Sequence, residues 1–339
     1  MKQIVHTTEN VIKKDGVGKC DANTLNDATK HIYEAAKKNY DMNRDIIDRC
    51  GPIQLLDCIR ADLLFIGAGP SAEREKKWIK LLYDKKFWVT MNCTSSMCWC
   101  MRNNINVDYT VILDCRWTDI WQEYKDIEKY PDICKGQTWI CYAGTDRRIL
   151  QEAEARGAKL KFYDVNYEDP YKITYGHGGA NKDKLPLVGV GINVANLTLG
   201  LAAGYRCKSW SSIGDERSWK YDPETDKDLG IDNMYAVENE DYQTKKDRIG
   251  DRVMQVEDKP GYITSYDLYN SRIWLFNNFV VKKWPGCSLE IFDFSDMRVP
   301  GIKQLKLEGV YMAWKLLKDK EIVEAKRIKN RRRKKKRSK

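Results

Sequence analysis

Three groups of residues have the types and spacing to do chemistry. The first is Gly67-Ala68-Gly69-Pro70-Ser71, which follows the apolar run Leu63-Leu64-Phe65-Ile66 and precedes an amphipathic segment through Trp78 and Leu82. Glycines there let the backbone turn sharply and approach a ligand closely, and a following helix offers free N–H groups and a positive dipole end, which suits a phosphate. The loop lacks the third glycine of G-x-G-x-x-G, because position 72 is Ala, and it lacks the Walker lysine. It is therefore a phosphate seat or a strand-to-helix turn that needs glycine for sterics alone.

The second group lies at the ends of the next apolar runs, at Asn92, Thr94 and Asp114. Asn92 could hold a ribose or base and Asp114 a Mg²⁺ ion or a sugar hydroxyl, with helix capping as the alternative for each. The third group is C-terminal. His177 sits among glycines in Tyr175-Gly176-His177-Gly178-Gly179, a candidate general base or phosphate contact unless it is a plain surface-loop histidine. Gly189, Gly191 and Asn193 lead into the small-residue helix candidate from Ala195, whose N-terminus could face a second ligand. Asp215 and Glu216 place two carboxylates at a strand end, as metal ligands or a general base.

The elements that must position these residues alternate regularly. Strands are predicted at Asp62–Gly67, Phe87–Met91, Tyr109–Asp114, Thr138–Tyr142, Lys159–Tyr163 and Cys207–Ile213. Helices are predicted at Ala72–Tyr83, Thr94–Asn103, Thr118–Lys129, Arg147–Arg156 and Ile192–Ala203. Near-continuous apolar strands separated by helices imply an α/β, Rossmann-like fold, a mostly parallel sheet with helices on both faces. Ligands of such sheets bind outside the carboxyl ends of the strands. An N-terminal helical segment (1–60) precedes this domain (61–300), which carries a polar insertion at about 222–257 and an aromatic helix candidate at Ser265–Lys283. A C-terminal helix (301–325, with its pattern running from about Gln304 to Lys329) and a basic, disordered tail (326–339) follow.

The formal charge of +10 belongs to that tail. Residues 326–339 hold 11 of the 59 Lys and Arg and no acid, leaving 48 cations against 49 Asp and Glu in the rest of the chain. The tail could track nucleic-acid phosphates, dock on an anionic surface, or only solubilise the end; without aromatic residues it offers no base stacking. No apolar run approaches a bilayer span of about 20 residues and no secretory h-region opens the chain, so a soluble, cytoplasmic protein is expected. Eleven scattered cysteines imply free thiols in a reducing compartment, and Cys93, Cys98 and Cys100 match no paired zinc pattern.

Together the loop Leu64-Phe65-Ile66-Gly67-Ala68-Gly69-Pro70-Ser71, the strand Ile105-Asn106-Val107-Asp108-Tyr109-Thr110-Val111-Ile112-Leu113-Asp114, the helix led by Gly191 and Ile213-Gly214-Asp215 resemble the 6-hydroxymethylpterin diphosphokinase MptE-like family, which is related to the Maf flagellin glycosyltransferases. The resemblance spans about residues 60 to 300. It implies a nucleotide-dependent transferase: ATP with Mg²⁺ passing diphosphate to a small alcohol, or a nucleotide-activated sugar passing its glycosyl group. By that resemblance Gly67, Gly69, Pro70 and Ser71 would hold donor phosphates and Asp114 and Asp215 would lie at the site rim; the residue types themselves add Mg²⁺ on Asp114 and Asp215 and His177 or Glu216 as the base. The sequence departs from that pattern at Ile192, Asn193 and Val194, and in reading Gly-Asp-Glu at 214–216. A non-catalytic nucleotide sensor whose basic tail binds nucleic acid is the alternative from another class.

Overall fold

A computed structural model describes residues 35–113, 132–165, 185–188, 193–217, 219–222, 227–228, 253–255, 262–265, 271–272, 274–276, 279, 288–295, 297, 299 and 301–337. Asp114, His177, Gly189, Gly191, the helix candidate Thr118–Lys129 and most of the N-terminal segment lie outside them.

Among the described residues the chain runs α1 (Arg44–Cys50), β1 (Asp62–Ile66), α2 (Pro70–Asp84), β2 (Val89–Cys93), α3 (Thr94–Arg102), β3 (Tyr109–Ile112), β4 (Thr138–Tyr142), α4 (Arg147–Ala155), β5 (Lys159–Val165), β6 (Leu187–Val188), α5 (Val194–Gly204) and β7 (Ser209–Ile213). Four short strands follow, β8 (Trp219–Asp222), β9 (Lys227–Asp228), β10 (Val253–Gln255) and β11 (Tyr262–Ser265), then β12 (Glu290–Asp293), β13 (Lys303–Gln304) and α6 (Leu307–Arg337). The main sheet has the order β13-β12-β7-β1-β2-β3-β4-β5-β6, and all its pairs are parallel.

The alternation of side chains along each strand explains the layers. Leu63 and Phe65 face α5, whose Leu197, Leu199 and Leu201 share their cluster. Leu64 and Ile66 face the other way, against Ile79 and Leu82 of α2 and Trp99 of α3. Farther along that second face Ile112, Trp139 and Cys141 meet Ile149 and Leu150 of α4 and Ile46 and Ile47 of α1. With both faces covered, strands such as Leu63–Ile66 must be apolar throughout. Helix α5, buried from Ala195 to Ala203, is mostly apolar for the same reason, with Asn196 and Thr198 as its buried, hydrogen-bonded polar members.

Several expectations need revising. The polar stretch near 222–257 and its flanks contribute β8 to β11, a second sheet in the antiparallel order β10-β11-β8-β9. Ser265, the expected start of an aromatic helix, ends β11, while 271–272 and 274–275 are helical. The end of the chain is not a separate tail: α6 continues unbroken through Arg337. Lys and Arg are good helix formers, and cations near a helix C-terminus are favoured by the macrodipole. The three cysteines of the 93–100 cluster belong to three different apolar clusters.

Candidate functional site

The order of the main sheet reverses beside β1. Strands β2 to β6 add on one side, whereas β7, β12 and β13 add on the other. The β1–β7 boundary is therefore the topological switch point, where parallel sheets of this kind open a crevice. Gly67, Gly69, Ser71, Asp215 and Glu216 all gather there.

The two strand ends meet through backbone. Gly67 N–H donates to Ile213 O at 2.7 Å and Gly69 N–H to Gly214 O at 2.9 Å. A Cβ on Gly67 would lie 2.2 Å from Gly214 O, and one on Gly214, which has φ +73°, 2.4 Å from Gly67 O. These two glycines are thus required by the close approach of β1 and β7.

Gly69 occupies the N-cap of α2 with Pro70 in the first turn, and it has no side chain with which to cap. The acceptor comes instead from Glu216, whose Oε1 receives the Ser71 N–H at 2.5 Å. Ser71 Oγ in turn accepts from Gly214 N–H at 2.8 Å. A Cβ at position 69 would fall 1.8 Å from Glu216 Oε2, so glycine is what admits the carboxylate. The anion-seeking end of α2 is filled by an anion of the chain itself.

Burial pushes the Glu216 carboxyl up to about 7, while the Ser71 hydrogen bonds and the half-exposed Arg74 guanidinium, 3.9 Å from Oε1, pull the other way. A carboxyl raised from 4.5 when folded binds its proton more tightly in the native state. Its contribution to stability is complete below about 4.5 and is lost as pH rises through about 7. Glu216→Gln should accordingly match the wild type at pH 4 and exceed it at pH 8, by about 3 kcal/mol at most, as measured by urea unfolding at both pH values. Equal stability at pH 8 would contradict the buried placement.

Asp215 has a different partner. Its carboxylate takes Arg217 Nε at 3.0 and 3.1 Å and Nη2 at 2.7 Å. Arg217 adopts φ +51° with its side chain fully buried, and its Nη1 donates to Ser271 O at 2.9 Å. Asn196 Nδ2 reaches the same carbonyl at 3.0 Å, and Asn193 Nδ2 reaches Ser271 Oγ at 3.2 Å. Burial raises the Asp215 pKa against the pull of Arg217, and Asp293 adds to the rise. Asp293, at the end of β12, accepts from Ser295 N–H at 2.7 Å, Ser295 Oγ at 2.6 Å and Met297 N–H at 2.7 Å.

Asn193 caps α5, its Oδ1 accepting the Asn196 N–H at 2.8 Å. Both helix N-termini that approach the switch point thus carry an acceptor of the chain. Thr94 opens α3, which Ser96 ties to β1 by donating to Ile66 O at 2.6 Å. Asn92 is fully buried on the α2–α3 side of β2, and neither of its amide atoms has a hydrogen-bond partner. Burial pushes the Cys100 thiol beside it up to about 12, with Asn92 pulling it back. Beyond that weak contact with the thiol, the described residues leave the polarity of the buried Asn92 amide unused.

Arg217, Asn196, Ser271 and Asp293 are the site residues missed in the sequence. The run Asp215-Glu216-Arg217 contains the ion pair two residues apart, and Asp293-Phe294-Ser295 is an aspartate-led turn pattern at a strand end, so a signal existed for two of them. For Mg²⁺ the described residues offer a poor donor set: Asp215 already holds a guanidinium, and no group of three or more His, Cys, Asp or Glu among them converges to hold a metal. Among the described residues no helix is long and apolar enough to cross a membrane.

No family model matches the chain and no curated protein matches it. Among solved structures, the Maf glycosyltransferase from Magnetospirillum magneticum AMB-1 is similar over 74% of this chain at 13% identity with a TM-score of 0.46. The similar region spans 34% of that protein's own length. At that score the likeness carries no weight for function.

Proposed function

We propose that this chain is a nucleotide-dependent transferase whose donor binds at the β1–β7 switch point, a donor phosphate taking the place of Glu216 at the N-terminus of α2. The observation that supports this most is the Glu216 carboxylate on the Ser71 N–H, walled by Gly69. A helix end that draws a carboxylate into a buried position is chemically suited to a phosphate oxygen, which bears more charge and more acceptors.

The transfer step follows from the group displaced. With phosphate on Ser71, Glu216 is a carboxylate released beside the donor, placed to act as a general base. It takes the proton of an acceptor hydroxyl as that oxygen bonds to the transferred group, and the nucleotide leaves with the electron pair of the broken bond. Asp215 is unsuited to this role because Arg217 occupies it; the pair instead fixes the position of the Gly214–Glu216 turn. The donor is ATP passing diphosphate or a nucleotide-activated sugar passing its glycosyl group, since one phosphate seat serves both.

A thermal-shift screen of ATP, GTP, CMP-sugars and UDP-sugars, with and without Mg²⁺, tests the reading and picks the donor. A nucleotide at a hundredfold excess over its dissociation constant should stabilise the protein by about 2.7 kcal/mol. The absence of any shift across the panel would remove the donor site.

A further inference from the structure

Helix α6 leaves the body of the protein partway along its length. Leu307 is buried and Tyr311 packs on Trp78 of α2 with ring centroids 5.5 Å apart, while Lys85 lies over the Trp314 ring. Every residue from Lys315 to Glu321 is then exposed, as is Glu324. Two consecutive turns exposed on all sides mean that the helix has no body beside it there. Its remaining 315–337 stretch would extend about 34 Å at 1.5 Å per residue.

The projecting part changes character along its axis. Its first turns carry both signs of charge, with Lys318 and Glu321 paired at 2.7 Å. From Lys326 to Arg337 there are ten Lys and Arg, no acid, and only Ile328 and Asn330 uncharged. Those twelve residues cover about 18 Å of axis, a length over which duplex DNA presents roughly ten phosphates, at one per 1.7 Å.

We infer that the basic end of α6 is a docking element for duplex DNA, lying in the major groove with its cations toward the phosphates of both walls. Three features select this partner among polyanions. A helix lying on a membrane needs an apolar face, and within 326–337 Ile328 is the one apolar residue, the exposed Leu316 and Leu317 lying in the mixed-charge turns before it. Single-stranded nucleic acid is held by aromatic stacking, and residues 326–337 contain no aromatic residue. A helical run of cations one helix wide fits the B-form major groove, which admits an α-helix, whereas the A-form groove of duplex RNA is too narrow. The recognition is of phosphate, with no base-reading pattern required, and it is independent of the nucleotide crevice.

Fluorescence anisotropy of the full chain with a labelled 20-base-pair DNA duplex tests this at 50 and 200 mM salt. The comparison variant carries glutamine at Arg331, Arg332, Arg333, Lys334, Lys335 and Lys336, which keeps helix propensity and removes charge. Binding by the wild type should weaken by about 10³-fold between the two salt concentrations, as six or so phosphate contacts require. The variant should bind at least a hundredfold more weakly at 50 mM, with a log–log salt slope shallower by about 5. Its unfolding transition should be that of the wild type, since the helix is already exposed from Lys315 to Glu321. Equal DNA binding by the variant overturns the inference. So does a wild-type chain that binds duplex RNA or phosphatidylserine vesicles but not duplex DNA.

Discussion

Asp215→Ala is expected to lower the unfolding free energy by about 3–5 kcal/mol, because it leaves the guanidinium of Arg217 buried without its counter-charge. The pair is fully enclosed, and Arg217 also holds the Ser271 carbonyl, so water cannot replace the lost carboxylate without opening the junction of β7 and α5. Replacing both residues, as Asp215→Ala with Arg217→Met, should recover much of that loss, since removing both partners of a buried pair costs far less than removing one. Urea unfolding of the two single variants and the double variant gives the coupling directly. A metal-ligand role for Asp215 makes a different forecast: its removal would cost little stability in the free protein, and Mg²⁺ would stabilise the wild type alone. A single-variant loss below about 1 kcal/mol together with a Mg²⁺-dependent shift would displace the ion-pair assignment.

Gly67→Ala is the second large effect. The methyl group would stand 2.2 Å from the carbonyl oxygen of Gly214, and that neighbour is backbone anchored by its own strand. The clash can be relieved only by prying β1 from β7 at the centre of the sheet, which places the change with severe overpacking, at about 3 kcal/mol or more. Gly136→Ala provides a scale. Its φ is +77° but nothing lies within 4 Å of the added carbon, so only the backbone strain of an alanine in that region, about 1–2 kcal/mol, should appear. Similar thermal midpoints for the two variants would mean that the Gly67–Gly214 approach is looser than described.

Much of this architecture could be read from the chain. The apolar runs at 63–66, 109–112 and 138–142 are short and separated by amphipathic segments, and each forms a strand of a parallel sheet. Pro70 marks the first turn of α2 because its missing N–H has no intrahelical partner to lose. The strands beyond β7 were hidden for physical reasons. Glu290 is exposed at the start of β12, which breaks the apolar run, and Lys303–Gln304 is too short for any periodicity. The site was half visible. The sequence put glycines, Ser71 and two carboxylates at strand ends, but Glu216 and Ser71 meet across 145 positions, a separation over which local pattern carries no information. Side-chain type could not tell the two neighbouring acids apart either. The fold gives Asp215 a guanidinium and Glu216 a helix N-terminus, and so makes one structural and leaves the other to titrate near neutrality.

The displacement of Glu216 by a donor phosphate is tested most directly by calorimetric titration of wild type and Glu216→Gln, at pH 6 and pH 8, with the best nucleotide-sugar from the screen. A nucleotide-sugar is chosen because its phosphate groups, esterified on both sides, do not titrate in that range. At pH 8 the wild-type carboxylate both fills the seat and repels the ligand, so the neutral variant should bind at least tenfold more tightly. At pH 6 the wild-type group is largely protonated, and the two dissociation constants should converge. Identical affinities at pH 8, or a variant that binds more weakly there, would show that the nucleotide does not enter the Ser71 seat.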